Sequence, residues 1–372
     1  MPPLDPTPEQ PETQTQSRKR ILRRYLEILG LLILALPLAG LLFLNQQAEK
    51  LLYYKYGKAK WAQQRPAICS PARKALVYAD QRPGQRSGQN SDKPLELACE
   101  EALALPALHT EIRNRDGLKL HTVRHLTGPD PQRPWLVYIS GTTSTWLDAT
   151  RYLPMAKRLG FNLASLDMSN HGISGNNGKG VGFGCREKAD VTAMVDFIAS
   201  TYPQADLLLA GTSTGTMGIA NASAELLQAS YAKRIVAVVL ENPPPSVRAL
   251  VGNKAAKLPG LLSDLTTALA GLQAGQDFFS CAPTRVLKNL KRPTLVQTGA
   301  KDQLVTVAMA EQTYLALPQG YPHQFSVFPH ADHAALWNAE PLKFEQEFKQ
   351  IWQTGQRFRT QSENSQLHTQ PL

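Results

Sequence analysis

The stretch LLLAGTSTG, residues 207–215, decides the fold of this sequence. Its apolar residues predict a strand, and TMGIANASAELLQ, residues 216–228, predicts a helix directly afterwards. A serine at a sharp strand-to-helix turn is exposed at the end of its strand, and small residues two positions away on either side let the turn close. Gly211 and Gly215 hold those positions around Ser213. The pattern predicts Ser213 as a nucleophile; a β-turn serine without chemical duty is the alternative.

Apolar segments alternate with helical segments on both sides of this turn. The predicted strands are 134–139, 161–167, 206–211, 234–242, 294–302 and 323–328, preceded by a hairpin around Asp116-Gly117. Alternation of continuously apolar strands with helices predicts an α/β fold whose mostly parallel sheet is covered by helices on both faces. The alternation stops at about residues 243–290, where short helical and proline-rich stretches predict a helical lid.

A serine hydroxyl becomes a nucleophile when a base accepts its proton and an acid holds that base in the right tautomer. Asp302 ends the predicted strand TLVQTGAKD, and His333 follows the last predicted strand. In a parallel sheet, residues at the carboxyl ends of strands share one edge, so we predict a triad of Ser213, His333 and Asp302. His330 is an alternative base, Glu241 an alternative acid, and a helix N-cap is the alternative role of Asp302.

Six motifs together resemble the α/β-hydrolase superfamily over about residues 110–352, especially its serine aminopeptidase and monoacylglycerol-lipase-like branch. They are the Asp116-Gly117 hairpin, YISGTT (138–143), DMSNHGISG (167–175), GTSTG (211–215), PTLVQTGAKDQLV (293–305) and HADH (330–333). DMSNHGISG is similar to the family loop DxRGHGxS, and the matching residues are Asp167, His171, Gly172 and Ser174. The resemblance implies an α/β-hydrolase fold and hydrolysis of a carboxylic ester, with a peptidase or an acyltransferase on the same triad as alternatives.

The resemblance also implies an oxyanion hole. In the family, the loop after the third strand begins with His-Gly, and the next residue donates a backbone N–H to the oxyanion; here Ser140 replaces the histidine, while Gly141 and Thr142 remain. The expected donors are the backbone amides of Thr142 and Thr214. The sequence contains no cluster of metal-ligand residues and no nucleotide-binding loop, so we predict neither a metal nor a cofactor.

The N-terminal part carries a different pattern. Residues 1–25, rich in Pro, Gln and Thr and ending in a basic cluster, predict a disordered tail. Residues 26–45 contain the uncharged run ILGLLILALPLAGLLFL, which is long enough to predict a transmembrane helix. A cleaved signal peptide and a buried core helix are the alternatives. Because the basic cluster before the run is denser than the one after it, we predict a single-pass membrane protein whose large domain lies on the extracytoplasmic side.

The remaining boundaries follow from these segments. Residues 46–109 are predicted to connect the membrane helix to the hydrolase domain (110–352), and residues 353–372 are predicted to form a disordered polar tail. The four cysteines include no CxxC pair. For a domain outside the cytoplasm we predict disulfides Cys69–Cys99 and Cys185–Cys281, out of three possible connectivities, with four reduced thiols as the alternative.

Composition limits the classes of partner. Of the 372 residues, 42% are hydrophobic and 19% charged, which is typical of a globular protein. The net charge of +10 is scattered and accompanied by no nucleic-acid-binding motif, so no nucleic-acid partner is expected. The expected partners are a membrane and a small-molecule or lipid ester substrate. A non-catalytic, membrane-tethered binding protein is the alternative from another functional class.

Overall fold

The computed structural model of this chain describes residues 14–54, 58, 78–79, 95–96, 99–254 and 259–367. The chain divides into two compact units, Met1–Gln47 and Ala48–Leu372. The second unit contains all of the candidate catalytic residues.

An eight-stranded sheet forms the centre of the second unit. Its strands are β1 Leu108–Arg113, β2 Lys119–His125, β3 Trp135–Ile139, β4 Asn162–Leu166, β5 Leu207–Thr212, β6 Ile235–Glu241, β7 Thr294–Gly299 and β8 His323–Phe328. Their spatial order is β8-β7-β6-β5-β3-β4-β2-β1. Neighbours from β8 to β4 are parallel, whereas β2 pairs antiparallel with both β4 and β1. The predicted mostly parallel sheet with an antiparallel hairpin at its edge is confirmed.

Helices cover both faces of this sheet. The α/β layers contain α2 Cys99–Leu103, α3 Leu153–Leu159, α4 Lys188–Thr201, α5 Thr214–Leu226, α9 Val307–Leu315, α10 Leu336–Ala339 and α11 Pro341–Leu367. Every residue of β3 to β7 is buried, as continuously apolar parallel strands require. One apolar cluster joins the sheet to α4 and α5, and a second joins it to α3 and α11. The core therefore lies in two layers, one on each side of the sheet.

Three further helices lie between β6 and β7, where the sequence predicts a lid. They are α6 Val247–Lys254, α7 Gly260–Ala274 and α8 Pro283–Val286. A disulfide joins Cys281, between α7 and α8, to Cys185 in the segment that precedes α4. The predicted Cys185–Cys281 pair is confirmed, while Cys69 of the predicted Cys69–Cys99 pair lies outside the described residues.

The C-terminal helix differs from the sequence prediction. Residues from 353 onward are predicted as a polar tail, whereas α11 continues to Leu367. Two contacts to the sheet layer hold this extension. Arg359 forms two hydrogen bonds, of 2.5 and 2.9 Å, with the carboxylate of Asp206. Gly355 lies so close to β6 that a Cβ atom there would be 2.4 Å from the Val236 carbonyl oxygen. Contacts distant in sequence thus keep a polar segment helical.

The N-terminal helix, α1 Gln14–Tyr53, also differs from the predicted boundaries. It begins within the segment predicted to be disordered, where an exposed Arg23–Glu27 ion pair at i,i+4 supports helix. It ends within the segment predicted to be a connector, where residues 48–53 belong to the second unit. Across the described residues, no helix combines the length and apolarity needed to cross a bilayer.

Candidate active site

Ser213 stands in a tight turn between β5 and α5. Its backbone angles are φ 53° and ψ −119°, a conformation that a residue with a side chain rarely adopts outside functional turns. Two glycines make the turn possible. A Cβ atom on Gly215 would lie 2.1 Å from the Ile139 carbonyl oxygen, and one on Gly211 would lie 2.9 Å from Ile219. The sequence therefore uses glycine where the nucleophile turn presses against β3 and α5.

Asp302 and His333 meet at the same edge of the sheet. Asp302 follows β7, His333 follows β8, and His333 Nδ1 lies 2.6 Å from Asp302 Oδ2. The Asp302 side chain is fully buried, whereas 22% of the His333 side chain is exposed. The alternative base, His330, is exposed to solvent. The structure thus brings Asp302 to His333, as the predicted triad requires.

The other oxygen of Asp302 fixes its own loop. Oδ1 accepts the backbone N–H groups of Leu304 and Val305, each at 2.8 Å. The N-cap of α9 is Thr306, whose hydroxyl accepts the Met309 N–H. Asp302 is therefore not the cap of that helix, and its orientation is set by the two amides as well as by the histidine.

Glu241, the alternative acid, takes part in a different group of contacts. Its Oε2 accepts hydrogen bonds from the Tyr152 hydroxyl at 2.9 Å and from Thr212 at 2.6 Å. Thr212 directly precedes the nucleophile, and the Ser213 N–H donates to the Glu241 backbone carbonyl at 2.9 Å. Glu241 thus stabilises the turn at Ser213 through its side chain and its backbone carbonyl.

Arg151 connects this buried group to the histidine loop, a contact that sequence reasoning missed. Its guanidinium lies 3.8 Å from Glu241 and donates to the Tyr138 hydroxyl at 3.1 Å. It also donates to the Ala334 carbonyl, next to His333, at 2.8 Å. Burial opposes the charge of Arg151, but the neighbouring tyrosines and carboxylates outweigh it and raise its pKa well above the ordinary value. Arg151 is therefore a buried cation that links the side chains packed on the Ser213 turn to the loop that contains His333.

Asn242 is a second residue that sequence reasoning missed. It follows β6 with φ 48°, a left-handed conformation that asparagine tolerates better than most residues. Its amide nitrogen donates to Asp302 Oδ2 at 2.8 Å, and its amide oxygen accepts the Ala334 N–H at 3.1 Å. Asn242 thus holds the acid with one end and the histidine loop with the other. The available signal was its position, directly after a strand that ends at the same edge.

The two predicted oxyanion residues lie beside each other. The hydroxyl oxygens of Thr142 and Thr214 are 2.8 Å apart. Thr214 is the first residue of α5, where backbone N–H groups have no acceptor within the helix. Gly141 packs on the nucleophile, since a Cβ atom there would lie 3.3 Å from Ser213 Cβ. Ser140, which replaces the family histidine, closes the loop by donating to the Thr145 carbonyl at 3.0 Å.

The DMSNHGISG loop is a structural support in this site. Asp167 accepts the backbone N–H groups of Trp146 and Ile173 at 2.9 and 3.0 Å. Gly172, with φ 47°, lies so close that a Cβ atom there would be 2.0 Å from the Asp167 carboxylate. The motif therefore keeps the segment after β3 and the segment after β4 together.

Among the described residues, no three His, Cys, Asp or Glu side chains lie close enough together to hold a metal ion.

The strand order, the nucleophile turn and the ends of β7 and β8 define the α/β-hydrolase fold. Solved structures with this fold are similar to the chain. The Pyrococcus furiosus esterase Pf2001 is 20% identical, with 73% of this chain and 98% of that one covered and a TM-score of 0.52. DcsB, solved with its substrate analogue, is 17% identical, with 67% and 100% covered and a TM-score of 0.51.

A third similar structure is the acylaminoacyl peptidase of Pyrococcus horikoshii, which is 17% identical. The match covers 66% of this chain and 42% of the peptidase, with a TM-score of 0.50. No protein-family model matches the chain, and no curated protein matches it in sequence. The similarity to solved structures establishes the fold, and the function has to be argued from the site.

Proposed function

We propose that this chain is a serine hydrolase that cleaves carboxylic esters, small or lipid-derived, through Ser213, His333 and Asp302. The observation that carries the proposal is the 2.6 Å hydrogen bond between His333 Nδ1 and the buried Asp302 carboxylate. It is made at the edge of the sheet where Ser213 occupies its strained turn. An acid, a base and a nucleophile on three separate strand ends are what acyl transfer by serine needs.

The proposed mechanism follows from these positions. With Nδ1–H of His333 donated to Asp302, the lone pair of Nε2 is available to accept the Ser213 proton. The serine oxygen attacks the acyl carbonyl, and the backbone amides of Thr142 and Thr214 stabilise the oxyanion. His333 then protonates the leaving alcohol, and water attacks the acyl-enzyme through the same base. The Asp302 carboxylate keeps the Nδ1–H of His333 and stabilises the imidazolium.

Labelling with a fluorophosphonate probe tests the nucleophile. We expect the folded wild-type chain to react stoichiometrically, and Ser213→Ala to lose all labelling because the attacked phosphorus bonds to that oxygen. Ser230→Ala, at an exposed serine, is the matched control and should label like the wild type. A folded wild-type chain that takes up no probe would overturn the hydrolase proposal in favour of a non-catalytic binding protein.

A peptidase is the second candidate, because acylaminoacyl peptidase is among the similar structures. An acyltransferase on the same triad would also label with the probe. The three activities differ in the bond that is cleaved and in the molecule that accepts the acyl group. Turnover of an acyl ester measures hydrolysis, turnover of an acylated amino-acid anilide measures peptidase activity, and turnover of an ester with added alcohol measures acyl transfer. Under our proposal the ester is hydrolysed fastest and water is the main acyl acceptor.

We further propose that the N-terminal segment attaches the enzyme to a membrane, with its hydrolase domain on the extracytoplasmic side. Apolar side chains along α1 are exposed, and they include Leu29, Ile33, Leu36, Leu38, Leu41, Leu42 and Phe43. A run of exposed apolar side chains marks an interaction surface. The Cys185–Cys281 disulfide is typical of a protein from an oxidising compartment.

Alkaline phosphatase fused after Leu372 tests this location, because that reporter is active outside the cytoplasm alone. We expect an active fusion that sediments with membranes. A matched fusion that begins at Ala48 should be inactive and soluble. An inactive full-length fusion would overturn the orientation, and recovery of the fusion in the soluble fraction would overturn the attachment.

A further inference from the structure

Strand β6 ends at two consecutive residues that contact the turns of the proposed triad. The Glu241 carbonyl accepts the Ser213 N–H at 2.9 Å. The next residue, Asn242, is fully buried, and its own N–H donates to the Gln297 carbonyl of β7 at 2.7 Å. The backbone of Asn242 is therefore fixed between the strand that holds the nucleophile turn and the strand that precedes Asp302.

The side chain of Asn242 uses both of its polar atoms. Its amide nitrogen donates to Asp302 Oδ2 at 2.8 Å, and the same oxygen lies 2.6 Å from His333 Nδ1. Its amide oxygen accepts the Ala334 N–H at 3.1 Å. A carboxylate on one side and an N–H on the other need a donor and an acceptor on the same side chain, which asparagine provides. Asn242 thus matches its two partners in chemistry as well as in position.

Ala334 needs this support because its backbone lies in the left-handed region, with φ 56°. A residue other than glycine keeps such a conformation where the surrounding contacts hold it. Asn242 holds the N–H of Ala334, and the Arg151 guanidinium holds its carbonyl at 2.8 Å. Since His333 directly precedes Ala334, these contacts set the path of the chain that presents the histidine.

We propose that Asn242 is a positioning residue for His333, which it keeps aligned with Asp302 and fixed in place relative to the Ser213 turn. Its side chain binds the acid and the histidine loop, and its backbone continues the strand that accepts the Ser213 N–H. This inference rests on the proposed function. The effect of Asn242 on the reaction thus passes through the histidine.

The test is Asn242→Gly in the full chain, which removes both hydrogen bonds and suits the left-handed backbone at this position, where φ is 48°. We expect kcat and kcat/KM for an acyl ester to fall equally, by about tenfold to 100-fold, because a misaligned base is felt in the transition state alone. In a His333→Ala background the same change should lower the residual kcat by no more than about twofold, because the histidine through which it acts is absent.

Asn253→Ala is the matched control. The Asn253 amide contacts the Asp302 loop at backbone carbonyls, those of Gln303 and Leu304, at 2.7 and 3.0 Å. We expect this variant to keep wild-type kcat and KM. If Asn242→Gly does not fold, Asn242→Ser takes its place in the same measurements. The single, shorter hydroxyl of serine replaces at most one of the two hydrogen bonds, so kcat should still fall by at least about threefold.

Wild-type kcat in the folded Asn242 variant would overturn the inference. An equal fall in the Asn253 control would also overturn it, since that would mean general loosening of the Asp302 loop. A further large loss in the His333→Ala background, or failure of both Asn242 variants to fold, would show that Asn242 acts on the fold and not through the histidine. A wild-type chain that neither labels with the fluorophosphonate nor hydrolyses esters would overturn the proposed function and this inference with it.

Discussion

His333→Ala is expected to lower ester hydrolysis by about 10³–10⁶-fold while the protein stays folded, because the variant has no base to accept the Ser213 proton. The histidine side chain lies in a loop and is partly exposed, so its removal leaves no large cavity in the core. Steady-state kcat/KM on an activated acyl ester, with the thermal unfolding curve recorded alongside, measures both parts of the expectation.

His330→Ala is the matched control, three residues earlier in the same loop. Its exposed side chain should contribute little, and we expect a loss of no more than about tenfold from altered loop geometry. A reversed pair of phenotypes would show that the base is His330 and that the Asp302–His333 bond is structural. If neither variant lost activity, the proposed triad would be wrong.

Arg151→Met is expected to destabilise the protein by about 3–5 kcal/mol, since it leaves the Glu241 carboxylate buried without its cation. Both side chains are nearly inaccessible, with 5% and 3% exposed. The variant also releases the Ala334 carbonyl, so activity should fall together with stability. Urea unfolding followed by tryptophan fluorescence gives the free energy of unfolding.

Arg115→Met provides the comparison for Arg151. Its ion pair with Glu225 spans 2.9 Å, but the two side chains are 48% and 45% exposed, so the change should stay within about 1 kcal/mol. Adding Glu241→Gln to Arg151→Met should recover part of the loss, because the uncompensated charge is removed. Equal, small effects of Arg151→Met and Arg115→Met would contradict a stabilising role of the buried cation.

Local patterns account for what the sequence predicts correctly. The nucleophile turn requires Gly211 and Gly215 at fixed offsets, and a parallel sheet brings the ends of its strands to one edge. Because Ser213, Asp302 and His333 each follow a strand that is apolar enough to recognise, their placement at one edge is predictable. Asn242 also lies at the end of a predicted strand. Asparagine is common in turns, however, so its position alone does not distinguish it from an ordinary turn residue.

Contacts between residues distant in sequence account for the rest. Nothing within the segment around Arg151 indicates that its guanidinium will meet Glu241 and the Ala334 carbonyl. The extension of α11 depends on Asp206, which pairs with Arg359 across the fold.

The Cys185–Cys281 bond has a consequence for a chain that has been cut. The two cysteines are 96 residues apart, and the closed ring between them contains the nucleophile turn and most of the lid. A single protease nick anywhere within that ring leaves both pieces covalently joined, so they migrate as one band until a reductant separates them. A nicked molecule in the absence of a reductant thus keeps Ser213 attached to both His333 and the N-terminal segment.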